Sequence, residues 1–202
     1  WSRRKVKVIA VAGGSGSGKS LFTELLVDRL PKTRVLPLDS YYKDRPDHIP
    51  VEQYDFDTPQ AFDFDLYHGH LDLLYSGESV QMPHFGYISG KREDGVTELV
   101  PEKYLILEGL HVLLHSRVRK MLSFSFYMES PLDVAICRMC LRDIKNFKVT
   151  AEYRLNQYLK FVRPAYFKHI RPTKKYADLV VNNDYDSSLD LFIDDFLLKN
   201  LL

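Results

Sequence analysis

Cysteine is nearly missing from this chain: Cys137 and Cys140 are the two among 202 residues. Their C-x-x-C spacing invites a redox pair or half a zinc site. No second Cys or Cys/His pair supplies the remaining ligands, and both fall in a helix-like segment, so they read as reduced helix cysteines of a cytoplasmic protein. Long apolar runs are missing too; the longest spans a few residues, too short for a bilayer, and no signal-peptide pattern opens the chain. The net charge is +1, so no broad basic field suits nucleic acid or an anionic membrane, and any anion site has to be local. Repeats, linkers and low-complexity tracts are absent, which leaves one domain over residues 1–202 as the economical reading. What is present, 45% hydrophobic and 27% charged residues, fits a soluble globular protein with a sizeable core.

The patterning predicts an α/β fold. Val6 to Ala12 reads as a strand that turns fully apolar, as in the buried centre of a parallel sheet. Leu21 to Val27 is a helix stopped by Pro31. Arg34 to Leu38 is a second strand, and its Pro37 places it towards an edge. The irregular stretch from Asp39 to Gln60 exceeds the usual loop length, which favours a functional loop. Thr58-Pro59 reads as a cap with proline at the first helical position, opening a helix from about Ala61 to Tyr75 that ends at Ser76-Gly77. A β-hairpin is expected over about 79–100, turning around Lys91 to Gly95. Strands at Tyr104–Leu107, Ser123–Met128 and Asp178–Val181 follow. Helices are expected from Pro131 to about Lys145, from Ala151 to Ile170, and from Leu189 to Leu201. Alternating strands and helices imply a parallel β-sheet of P-loop NTPase type, flanked by helices on both faces.

Gly13-Gly14-Ser15-Gly16-Ser17-Gly18-Lys19-Ser20 satisfies G-x-x-x-x-G-K-[ST], with a strand before it and a helix after it. Glycines let the backbone wrap phosphates and turn its N–H groups inward, and the helix N-terminus adds a favourable dipole. Lys19 supplies a cation for the β- and γ-phosphates, and the Ser20 hydroxyl is a magnesium ligand. The guanine-reading N-K-x-D run is absent, so the expected nucleotide is ATP. A second acidic group should hold Mg2+ from the end of a neighbouring apolar strand, and Glu108, before Gly109, stands there. Asp39 ends another strand, on the side where parallel sheets bind ligands; it reads equally as a group that orients an attacking hydroxyl or as a turn former. Asp55, Asp57, Asp63 and Asp65 lack the glycine and glutamate of a calcium loop, since Gln60 and Leu66 occupy those places. Asp63 and Asp65 suit a helix start, and His68-Gly69-His70 reads as a solvated helix face rather than a metal site.

These motifs, with Pro37 to Tyr42, Tyr54 to Asp63, Leu107-Glu108-Gly109, Leu141-Arg142-Asp143-Ile144 and Pro172 to Asp178, occur in the order in which they resemble the uridine–cytidine kinase family, relatives of phosphoribulokinase and pantothenate kinase. The resemblance covers nearly the whole chain. It implies that Asp39 is the catalytic carboxylate, that Asp57 holds ribose hydroxyls, that Tyr42 lines the nucleoside pocket, that Gln157 lies near the sugar, and that Arg142 neutralises transferring phosphate from a lid over about 131–170. It also implies that a homo-oligomer forms. Two departures stand out. Where the family carries Tyr-Asp-Phe and then a base-reading His, this chain has Phe85-Gly86-Tyr87 and then Gly90: Phe85 can stack on a base but has no hydroxyl, and His84 or Tyr87 is left to compensate. Met139, Phe147 and Val149 stand at lid positions that carry arginine in the family, with Arg138 a second candidate beside Arg142. The expected activity is ATP-dependent phosphorylation of a nucleoside 5′-hydroxyl. The alternatives are a kinase for another small alcohol (a sugar, a sugar phosphate or a pantothenate-like molecule) and an ATP-binding regulatory protein with little catalysis.

Overall fold

The computed structural model describes residues 6–184 and 188–200, so Leu201, the expected end of the last helix, lies outside the described residues. In chain order the elements are β1 (Lys7–Gly13), α1 (Lys19–Arg29), β2 (Thr33–Pro37), α2 (Phe64–Ser76), β3 (Val80–Gly86), β4 (Lys91–Leu99), β5 (Tyr104–Gly109), the short α3 (Ser116–Arg119), β6 (Leu122–Glu129), α4 (Leu132–Phe147), α5 (Ala151–Gln157), the one-turn α6 (Arg163–Ala165), β7 (Leu179–Asn182) and α7 (Leu189–Asn200). Five strands pair in the order β2-β5-β1-β6-β7, every neighbouring pair parallel. β1 lies at the centre because both its faces are apolar. Val8, Ala10 and Ala12 enter one core, and Ile9 and Val11 the other. Tyr67, Leu71 and Leu74 of α2 cover the first face. Phe22 and Leu26 of α1, with Ile193 and Phe196 of α7, cover the second. As Pro37 foretold, β2 is an edge strand. No described helix is long and apolar enough to cross a membrane.

The structure corrects three expectations and bears out a fourth with a change of detail. The helix after Thr58-Pro59 starts later: Pro59–Ala61 is a single 3-10 turn, and α2 opens at Phe64 with Asp63 as its cap, accepting from the Leu66 amide at 3.1 Å. The hairpin turns at Tyr87–Gly90, where the Gly90 amide reaches the Gly86 carbonyl at 2.8 Å. Lys91 to Gly95 therefore belong to β4. There Pro83 faces Val96 and His84 faces Glu93, so Asp94 and Gly95 form a bulge rather than the turn. The segment from Ala151 to Ile170 is helical throughout but widens to π geometry at Tyr158–Val162 and Tyr166–Ile170. Finally, His68 is buried rather than solvated, its Nε2 lying 3.2 Å from His115 Nδ1, and His70 Nδ1 lies 2.8 Å from the Tyr41 hydroxyl.

Candidate active site

Residues 13 to 18 leave β1 and wind into α1. Gly16 has φ +75°, and a Cβ there would stand 2.1 Å from the Ala135 carbonyl of α4, so no side chain fits between loop and helix. The Asn183 amide, just beyond β7, donates to the Ser17 carbonyl at 2.9 Å and braces the loop from behind. No side chain caps α1 at Gly18, and its first turn carries no acidic residue. Its leading N–H groups therefore remain available to an anion. Lys19 is buried, its ammonium bonded to the Gly14 carbonyl at 3.0 Å, and the Ser17 hydroxyl is buried with no hydrogen-bond partner among the described residues. Gly16, Gly18, Lys19, Ser20, Arg138, Arg142 and Asn183 border an open cleft of about 650 Å³.

Four charged groups converge on Lys19. Burial pulls its proton affinity down, the charges of Glu108 and Asp39 push it back up, and Arg142 lowers it while Asp57 more weakly raises it. Glu108 ends β5 with Oε1 3.4 Å from the Ser20 hydroxyl. Burial raises its carboxyl above the usual range against the pull of Lys19. Asp39 sits in the 3-10 turn Leu38–Tyr41 that follows β2. Burial raises its pKa as well; Lys19, the Tyr87 hydroxyl and Arg142 oppose the rise. Its Oδ2 accepts from Tyr87 at 3.2 Å, and its Oδ1 is buried with no partner among the described residues. Asp57 accepts from Ser15 Oγ at 3.4 Å. Burial, then repulsion from Asp55 and Asp39, pushes its pKa up to about 7.

The aromatic residues gather beside these carboxylates. Tyr42 stacks on Phe62 at 4.2 Å and meets Phe85 at 4.9 Å and Phe56 at 5.7 Å. Arg142 donates to Asp143 Oδ1 at 2.7 Å while near enough to Asp39 for their charges to interact. Arg138 spends its guanidinium on Ser130, Asn183 and Asp184, tying α4 to the end of β7. Gln157 stands apart from the carboxylates, its amide donating to the Glu52 carbonyl at 2.7 Å. His84 is bonded to Thr97 at 2.7 Å along the hairpin, so of the two residues left to compensate at the hairpin, Tyr87 alone is bonded to a site carboxylate. The sequence assigns no role to three participants, although Asp143 lies in the Leu141-Arg142-Asp143-Ile144 run. They are Asn183 behind the loop, Asp143 beneath Arg142, and His111, 1% exposed, whose Nε2 meets the Asp57 carbonyl at 2.8 Å.

The donor set suits magnesium nucleotide. The hydroxyl of Ser20 and the carboxylate of Glu108 are hard oxygen ligands side by side, and the uncapped helix start with a buried ammonium suits phosphate.

Residues 8–188 match the family model described as "Phosphoribulokinase / Uridine kinase family". The chain is 33% identical over 197 residues to the uridine kinase of Borrelia turicatae, covering 97% of this chain and 96% of that protein. It is 36% identical over 183 residues to the uridine kinase of Vibrio vulnificus, covering 86% and 85%. In fold it is similar to phosphoribulokinase from Rhodobacter spheroides, with a TM-score of 0.64 at 15% identity over 93% of this chain and 73% of that one.

Proposed function

The chain belongs to the phosphoribulokinase/uridine kinase family of ATP-dependent phosphotransferases, and from that premise we propose that it transfers the γ-phosphoryl group of ATP to the 5′-hydroxyl of a nucleoside. The observation that carries this reading is the convergence of Asp39, Glu108, Asp57 and Arg142 on the buried Lys19 at the mouth of the phosphate loop. A nucleotide-binding protein without chemistry has no use for a second half-buried carboxylate, Asp39, beside the one that suits the metal.

In this mechanism the amides of the loop and Lys19 hold the β- and γ-phosphates. Ser20 and Glu108 hold magnesium, which neutralises phosphate charge when bound. Asp39 accepts a hydrogen bond from the acceptor hydroxyl and takes its proton as the new O–P bond forms and the bond from phosphorus to the β,γ-bridging oxygen breaks, releasing ADP. A carboxyl pulled upward by burial is a better base than an exposed one. Arg142 stabilises charge on the transferring group, worth orders of magnitude in related chemistry. Asp57 accepts the ribose hydroxyls, and Tyr42 and Phe85 present ring faces to the base.

A second reading, a kinase for another small alcohol, has one specific observation in its favour. Phe85 offers no hydrogen bond, and Gly90 opens onto Phe56 and Arg45 instead of a base-reading side chain. The test is ADP release with Mg-ATP against nucleosides, sugars, sugar phosphates and pantothenate, with the product mass confirmed. A nucleoside 5′-monophosphate is the expected product. Turnover of a different alcohol alone would replace this reading with the second.

A further inference from the structure

Tyr87 is the first residue of the hairpin turn, and its side chain points back over the catalytic groups rather than away from them. Its hydroxyl donates to Asp39 Oδ2 at 3.2 Å. Its ring lies 5.8 Å from Phe85, 6.4 Å from Tyr42 and 5.9 Å from Phe147, the last residue of α4. The turn itself is fixed, since Gly90 N and Ser89 Oγ both reach the Gly86 carbonyl and Arg45 N holds Gly90 O. The Tyr87 side chain is less so. The residue is 50% exposed, whereas Tyr41 and Tyr67 are sealed in the core. It can therefore swing off Asp39 without opening the fold.

The other carboxylate oxygen sharpens the point. Oδ1 of Asp39 is sealed from solvent, so a donor arriving from the cleft meets Oδ2, and Tyr87 occupies it. With no acceptor present, the one cleft-facing oxygen already accepts from Tyr87, so a water that Asp39 would orient towards a bound γ-phosphate has to share or displace that donor. Water is the unwanted nucleophile of every kinase, and its exclusion is commonly left to lid closure. Here a hydroxyl of the protein does part of that work on the base itself. Shielding of the hydroxyl itself, and then the charge of Asp39, raise the phenol above its usual pKa, which favours its role as donor.

We propose that Tyr87 guards Asp39: its hydroxyl holds the cleft-facing carboxylate oxygen while no acceptor is bound, and yields that oxygen to the acceptor's hydroxyl. Its contact with Phe147 places the guard under the end of the lid helix, so that lid position and guard position are linked. The inference rests on the assignment of Asp39 as the group that receives the acceptor's proton.

Tyr87→Phe removes the hydroxyl and keeps every ring contact. Two quantities are measured in the native and variant proteins: ADP release with Mg-ATP alone, divided by ADP release with saturating nucleoside, and uridine binding to nucleotide-free protein by calorimetry. Losing one hydrogen bond to a charged acceptor should raise the ratio on the order of tenfold. Uridine should bind several-fold more tightly, because it no longer displaces a competitor. An unchanged ratio, or weaker uridine binding, overturns the guard and leaves Tyr87 a pocket wall. If the native protein phosphorylates no nucleoside, the acceptor assignment falls separately. ADP release with Mg-ATP alone then decides the guard: a rise on the order of tenfold supports it, and no change overturns it.

Discussion

Arg142 Nε donates to Asp143 Oδ1 at 2.7 Å, and Arg154 Nε stands 2.9 Å from the other oxygen of that carboxylate. Asp143 is 1% exposed, so one buried charge from α4 fixes an arginine of its own helix and one of α5. Arg142, the candidate for phosphate, is more than half exposed at its side chain. A merely superficial ion pair there would contribute little. If Arg142 instead acts on the transferring phosphoryl group, Arg142→Ala lowers kcat by about 10²–10³ with little change in thermal stability. Asp143→Asn behaves differently: it lowers kcat on the order of tenfold by loosening Arg142, and costs about 1–3 kcal/mol of stability because Arg154 loses its buried counter-charge. Steady-state kinetics and thermal melts of the two variants separate these effects. An Arg142→Ala enzyme with full turnover would remove that arginine from the mechanism.

The Ser20 hydroxyl and Glu108 carboxylate, 3.4 Å apart, make a matched prediction for the metal. Ser20→Ala and Glu108→Gln should each raise the magnesium concentration for half-maximal rate by at least about tenfold. Excess Mg2+ should recover part of the rate, because each variant keeps the other ligand. A rate loss that no magnesium concentration relieves would mean that these groups serve the loop's shape rather than the ion.

Asp57 gives a prediction in pH. Its pKa is raised to about 7 from the ordinary aspartate value of 3.8, by burial first and by Asp55 and Asp39 after it. Between those values the folded protein holds a proton that the unfolded chain has released, so stability falls as pH rises through this window and levels off above 7. Asp57→Asn should remove that slope, its melting temperature gaining on the native protein from pH 5 to pH 8. In the proposed contact with Asp57 the acceptor's hydroxyls need the ionised carboxylate. Nucleoside binding should therefore tighten over the same range and release close to one proton per molecule at pH 6 and almost none at pH 8, as read by calorimetry in buffers of different ionisation enthalpy. Proton-independent binding would move the ribose contact elsewhere.

How legible all this was depends on whether one stretch of chain holds the cause. β1 and the loop after it are local: an apolar run, then glycines, Lys19 and Ser20, and the structure follows them almost residue for residue. The edge position of β2 follows from Pro37 alone. The hairpin turn was misplaced because charged Lys91 to Gly95 look like a turn, whereas a bulge absorbs Gly95 and Ser89-Gly90 make the bend. His68 looked solvated because its helix neighbours are polar, but His115, 47 residues away, covers it. Asn183 and His111 were beyond reach for the same reason. Each acts on a segment distant in sequence, Ser17 in one case and Asp57 in the other, and no periodicity records such a meeting.

Gly90 stands where the family resemblance implies a base-reading histidine, and the structure shows what such a side chain would meet there. Its φ is +66°, in the left-handed region, and a Cβ there would stand 3.0 Å from Phe56 Cζ and 3.1 Å from Arg45 Nε. Arg45 cannot retreat easily, since its guanidinium donates to the carbonyls of Pro46, Ile49 and Ser89. Restoring a base-reading histidine by Gly90→His therefore meets both a backbone penalty of about 1–2 kcal/mol and a side chain already in the space. The single variant should melt earlier and gain no pyrimidine preference. Arg45→Ala removes the guanidinium and leaves Phe56 at 3.0 Å, so in the double variant the cost of histidine should shrink without falling to the backbone share alone, a coupling of about 0.5–3 kcal/mol in a double-mutant cycle. Preference for uridine or cytidine over purine nucleosides should rise in the double variant, and further when Phe85→Tyr is added. Gly90→His alone, if neutral in stability, would show that Arg45 moves freely and that the glycine answers to some other constraint.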